Sequence, residues 1–239
     1  KKLYLMYQEK KQNLLNQQFT VSRPNEVWVG DVTQFRFKGR NYYICVIIDL
    51  YSRKVVSYKI SKSNSTQLTK ATFKYAYESH QPTDLLFHSD RGGNYTSNAY
   101  TSYLEQLGIR QSFSRASTPY DNSVIEAFFK SLKAEKLYLI DIDSEKELFS
   151  AIKNYMIFYN SSRPHTVLSY TTPDAFEARF FSKIVEFAED IVRTFIYIEQ
   201  NPIRAGLAGI RGLGKKIKSL VYPFYEVWEP LLPDELKQS

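Results

Sequence analysis

The hydrophobic pattern changes period along this chain. From residue 26 to residue 60, apolar side chains come in short runs rich in Val, Ile, Tyr and Phe, divided by Lys38-Gly39-Arg40 and Leu50-Tyr51-Ser52. Such runs predict strands over 26–37, 41–50 and 53–60, and links this short predict antiparallel hairpins. The pattern then predicts a helix over 66–79, a strand ending at Asp90, a helix over 97–107 stopped by Gly108, a strand over 109–114, and a helix opened by Pro119-Tyr120-Asp121-Asn122. Three antiparallel strands followed by strands alternating with helices describe an α/β fold with a mixed sheet, whose sites gather at strand ends. At the front, Leu3, Met6, Leu14 and Leu15 among polar and basic residues predict a linker helix over 1–18, ended by Ser22-Arg23-Pro24-Asn25. At the back, Ile184, Ala188, Ile191, Phe195 and Ile198 predict an amphipathic helix over 181–200, broken by Asn201-Pro202. Gly206, Gly209, Gly212 and Gly214 then crowd a basic segment containing Arg211, Lys215, Lys216 and Lys218.

Three acids interrupt this pattern. Asp31 lies inside Val27-Trp28-Val29-Gly30-Asp31-Val32-Thr33, Asp90 ends Leu85-Leu86-Phe87-His88-Ser89, and Glu126 sits in the helix that follows Asn122, with thirty-five residues between the second acid and the third. A carboxylate set where a strand or helix prefers apolar neighbours costs free energy unless its charge is compensated, and a divalent metal ion would compensate it. On the third helix Ile125, Phe128 and Leu132 share one face and Glu126, Lys130 and Lys133 another, so the acid and its basic companions can face a groove. An ordinary surface helix shows the same split; the conjunction of the three acids carries the reading. Asp49 ends a strand beside a hairpin, where turn hydrogen bonding is the expected role. Gly92 and Gly93 are expected to let the chain turn tightly past Asp90.

Composition adds limits. With 239 residues, 43% hydrophobic and 24% charged, the chain suits one substantial domain plus an appendage, and no run is long enough for a membrane span. The sole cysteine, Cys45, lies in an apolar strand and is expected to be buried, which fits a reducing cytoplasm. A formal net charge of +7 favours a polyanionic partner without identifying one. Lys1 rather than Met opens the sequence, and a piece of a longer chain is the expectation.

The segment from about Phe19 to Phe180 resembles the catalytic core of bacterial insertion-sequence transposases related to retroviral integrases. The resemblance rests on Trp28-Val29-Gly30-Asp31-Val32-Thr33, Asp49-Leu50-Tyr51-Ser52-Arg53, His88-Ser89-Asp90-Arg91-Gly92-Gly93, Pro119-Tyr120-Asp121-Asn122 leading to Glu126, and Lys133 seven residues beyond it. Phe158-Tyr159-Asn160, Arg163-Pro164-His165 and Thr172-Pro173 extend it. The resemblance implies an RNase H-like fold over 19–180, with 1–18 before it and a helical extension over 181–239. It implies that Asp31, Asp90 and Glu126 hold two divalent cations, normally Mg²⁺ with Mn²⁺ as an alternative, and that the protein cleaves DNA at transposon ends and joins the freed 3′-OH to a target. DNA would be the partner, bound by a homo-oligomer. Lys133 and Lys130 would contact phosphate, with Tyr120, His88 and Arg163 as further DNA contacts; structural roles are open for His88 and His165. Two rivals stand beside this reading: an RNase H-like nuclease that only hydrolyses, and a non-catalytic DNA-binding remnant. The run Tyr197 to Leu207 resembles a piece of the tyrosine transposases associated with repeated palindromes. Those enzymes need a paired-histidine motif, which His80, His88 and His165 do not supply, so the tail is expected to carry no chemistry of its own, either as a remnant or as a helical extension.

Overall fold

In a computed structural model of the chain, residues 12–115 and 118–200 are described. The chain separates into two units, Lys1–Glu177 and Ala178–Ser239. The first unit is built on five strands: β1 (Val27–Phe37), β2 (Arg40–Asp49), β3 (Val55–Ser61), β4 (Leu86–Ser89) and β5 (Arg110–Phe113). Their order in the sheet is β3-β2-β1-β4-β5, with β1, β2 and β3 antiparallel and β4 and β5 parallel to β1. That is the mixed sheet the hairpin links and the later alternation of strand and helix required.

Helices cover both faces of the sheet. Because strand side chains alternate, Val27 and Val29 join one apolar cluster and Trp28 the other. The first cluster takes Ile44, Val46 and Ile48 from β2 and packs them under α3 (Ser123–Leu132) and α4 (Glu145–Ser161). The second sets Trp28 and Phe87 against Phe73 of α1 (Thr66–His80) and Tyr100 and Leu104 of α2 (Asn98–Gln106). Ser65 and Ser97 start α1 and α2 by accepting the N–H of Leu68 and of Tyr100. Ser144 does the same for Glu147 at the start of α4, while the Glu147 carboxylate accepts the Asp143 N–H. The sequence pattern had left α4 unassigned, although Leu148, Ile152, Tyr155, Met156 and Tyr159 hold helical spacing and are buried.

Two local expectations need correction. Residues 12–18 form turns and irregular chain rather than helix, with Leu15 buried in the core and Asn16 and Gln17 at positive φ; residues 1–11 lie outside the described residues. A single helix, α5 (Pro173–Gln200), runs where a new helix was expected to begin at 181. The Asn201-Pro202 break and the glycine-rich basic segment fall outside the described residues. Cys45 is buried, as expected.

Candidate active site

The register of the sheet brings the two aspartates together. Gly30 of β1 pairs with Ser89 of the parallel strand β4, so Asp31 and Asp90 are the next residues on adjacent chains. Asp31 continues the face of Val27 and Val29, and Asp90 follows Leu86 and His88, both on the side where α3 packs. Gly30 makes this approach feasible, since a Cβ there would stand 2.5 Å from the Phe87 Cζ atom. The third acid arrives on α3, anchored on the same face by Ile125, Phe128, Phe129 and Leu132, which leaves Glu126 half-exposed.

The electrostatics record this closeness. Burial and the neighbouring charges of Asp90 and Glu126 push the Asp31 carboxyl up to about 7, against a bond at 2.7 Å from the Val32 N–H that favours its ionised form. Asp90 is steadied through its Oδ1, which accepts the Gly92 N–H at 3.0 Å. A Cβ at position 92 would come within 2.9 Å of the Asp90 Oδ1 and 3.2 Å of its Oδ2, so any larger residue there would make the Asp90 carboxylate shift. Gly93 has open space around it and opens a short helical turn, Gly93–Thr96.

Three mutually repelling carboxylates are a hard-oxygen donor set of the kind that a divalent cation neutralises, and the gap kept by Gly92 leaves the Asp90 oxygens approachable. Among the described residues no group of three or more His, Cys, Asp or Glu side chains is arranged to hold a metal ion.

The remaining sequence-singled residues divide. Lys130 is exposed and Lys133 half-buried at the start of a π-turn (Lys133–Leu137), and among the described residues neither is engaged in an ion pair. Tyr120 is 73% exposed, which leaves its ring available to a partner. His88 is corrected as a DNA contact: it is fully buried, its Nδ1 is 2.8 Å from the Ser112 Oγ and its Nε2 3.2 Å from the Ser114 Oγ. Burial pushes it down to about 4, so the ring is neutral at pH 7 and ties β4 to β5. Arg163, expected at DNA, instead makes a two-pronged pair with Glu135, Nε to Oε2 at 2.8 Å and Nη2 to Oε1 at 2.6 Å, fastening the π-turn to the segment after α4. His165 is buried with its ring edge-on to Tyr159 at 4.6 Å, a packing role. Asp49 is buried and accepts the Ser52 N–H and Oγ–H and the Asn25 N–H, the turn role expected for it.

One residue escaped the sequence reading. Asp121 has no solvent exposure yet carries a charge. Burial alone raises its pKa, but the Arg115 side chain and N–H, together with Gln17, outweigh that and hold the carboxyl well below the usual carboxylate range. Its sequence signal was only its place in Pro119-Tyr120-Asp121-Asn122, read as a helix opening.

Comparison with known proteins yields an integrase core domain match over residues 21–119 and a second integrase core domain match over 107–173. The chain is 38% identical over 167 residues to the transposase for insertion sequence element IS904 of Lactococcus lactis, covering 69% of this chain and 66% of that one. It is 37% identical over 162 residues to the putative transposase InsK for insertion sequence element IS150 of Escherichia coli, covering 67% of this chain and 57% of that one. The chain thus spans less than two thirds of the length of either relative. In fold it resembles the HTLV-2 integrase catalytic core domain solved in complex with magnesium, with a TM-score of 0.52 and 21% identity over 65% of this chain and 97% of that one.

Proposed function

Because the chain belongs to the integrase core domain family, we propose that it is the catalytic part of an insertion-sequence transposase, cutting DNA at element ends and joining the freed end to a target. The observation that supports this reading is the register Gly30 to Ser89, which sets Asp31 beside Asp90, together with the effect of the Asp90 and Glu126 charges on Asp31. Transposase names on the relatives favour strand joining over simple hydrolysis. DNA is the partner in this reading, handled by a homo-oligomer in the cytoplasm. Among the described residues no helix is long and apolar enough to cross a membrane.

Asp31, Asp90 and Glu126 would hold the divalent cations, Mg²⁺ by preference and Mn²⁺ as an alternative. When bound, such ions supply Lewis-acid charge to the attacking and leaving oxygens of a phosphodiester. The chain's own groups do the rest. Asp31 must give up a proton to become a ligand, since it is held at about 7. The Gly92 N–H keeps the Asp90 carboxylate facing the gap. Lys130 and Lys133, on the turns beyond Glu126, would neutralise substrate phosphates as point charges, and Tyr120 offers a ring for an unpaired base. Register and orientation of the DNA would come from such backbone contacts, which carry little sequence information.

The test is replacement of each acid by its amide in the full chain. Asp90→Asn and Glu126→Gln should abolish cleavage and joining while leaving circular dichroism unchanged; joining at the unmodified rate by Glu126→Gln would overturn the assignment.

A further inference from the structure

The helix that bears Glu126 begins without the usual device. Asn122 stands at its N-cap, yet its side chain makes no capping bond, and both its Nδ2 and its Oδ1 are buried without a partner. The start of α3 is fixed instead one residue earlier. Asp121, in the 3-10 turn Pro119–Asn122, is gripped by five donors. Arg115 gives three: its N–H at 2.8 Å and Nε at 3.2 Å to Oδ2, and its Nη2 at 3.2 Å to Oδ1. The other two come from far along the chain, from Asn13 Nδ2 to Oδ2 at 2.8 Å and from Gln17 Nε2 to Oδ1 at 2.7 Å.

The segment Gln12–Gln17 is shaped for this contact. Asn16 and Gln17 occupy the left-handed region, at φ 48° and 61°, which non-glycine residues adopt at a cost. The turn closes through Asn16 N–H to Asn13 Oδ1 at 2.8 Å, which directs the other half of the Asn13 amide to Asp121. The same segment also binds β5 and, through Ser112, touches the strand that leads into Asp90. Phe113 N–H donates to Gln12 O at 2.9 Å, and the N–H groups of Leu14 and Leu15 donate to the Ser112 Oγ, which in turn bonds His88.

We propose that Asp121 is a positioning residue for the Glu126 helix, and that Gln12–Gln17 is part of the active site's framework rather than a linker to it. Resting on the proposed function for the word catalytic, the inference goes beyond it by assigning work to residues outside the three acids. Bonds to a buried charge are the strong ones, and a supporting shell that loosens by an ångström costs large factors in rate.

The full chain carrying Asn13→Leu and Gln17→Met together tests this. Both changes remove a donor with little change of volume and none of charge, so DNA attraction is preserved. The single-turnover cleavage rate should fall between roughly tenfold and a hundredfold, with half-saturation by DNA unchanged within about twofold and circular dichroism unaltered. Amide hydrogen exchange should quicken across 118–126 and stay unchanged in β1 and β2. Unchanged exchange at 118–126 overturns the proposal, as does a rate loss that only tracks loss of DNA binding or of folded protein. If the parent chain cuts no DNA at all, the functional reading fails, and the exchange measurement still decides the positioning role.

Discussion

Asp31→Asn should make the metal-free protein more stable at neutral pH. The folded chain holds the Asp31 proton up to about 7, whereas an unfolded aspartate releases it near 3.8. Between those values the unfolded state binds fewer protons, so stability falls as pH rises through this window, and the loss is complete above about 7. Ionising a carboxyl held at about 7 instead of 3.8 costs the fold at most about 4 kcal/mol. Asp31 is half-buried, and solvent screening brings the working figure to about 2 kcal/mol. The amide keeps an oxygen for the Val32 N–H and removes the repulsion from Asp90 and Glu126. Denaturant unfolding with a chelator present, at pH 5 and pH 8, measures this. The variant should exceed the parent by about 0.8 kcal/mol at pH 5, where part of the window has already been crossed, and by about 2 kcal/mol at pH 8, the latter a rise of about 4–8 °C in Tm. Added Mg²⁺ should stabilise the parent and leave the variant unmoved. A variant less stable than the parent at pH 8, or a parent whose stability does not fall between pH 5 and 8 relative to the variant, would refute the placement of the three charges.

Gly92→Ala should lower cleavage at least tenfold, because its Cβ displaces the Asp90 carboxylate, while denaturant unfolding moves by less than about 1.5 kcal/mol. Lys130→Gln and Lys133→Gln should each weaken DNA binding alike for element-end and unrelated duplexes, and each should reduce the slope of log affinity against log salt by about 1; a loss confined to the element end would show base reading instead. A chain ended after Ser182 should fold and keep its circular dichroism and cooperative melting, since the first unit closes at Glu177; an insoluble product would put the tail inside the core.

What the sequence revealed depended on how local the cause was. The hairpins of β1, β2 and β3 follow from period-two apolar runs and their turns, and α1 from its spacing and Ser65. Asp31, Asp90 and Glu126 stood out because each interrupts an apolar pattern that local neighbours set. The role of Asp121 did not, because its partners Asn13 and Gln17 lie 108 and 104 residues away, and no window of sequence joins them. The same holds for the arm at 12–18: Leu14 and Leu15 suggested helix, but bonds to Ser112 and Asp121 repay left-handed turns that propensity disfavours. His88 beside Asp90 suggested substrate contact by adjacency, and only the facing hydroxyls of Ser112 and Ser114 reveal a tie between strands. Helix α4, by contrast, was left unassigned although its spacing and the local pair Ser144 and Glu147 carry a helix signal.

In the proposed function the three acids drive strand cleavage followed by joining. Incubating the chain with labelled element-end duplexes and Mg²⁺, and resolving the products on a denaturing gel, tests it most directly. A nicked species should appear first and a longer joined species should grow at its expense, both lost with chelator. Nicked product alone would mark a hydrolytic nuclease, and no product in Mg²⁺ or Mn²⁺ would contradict catalysis by this chain.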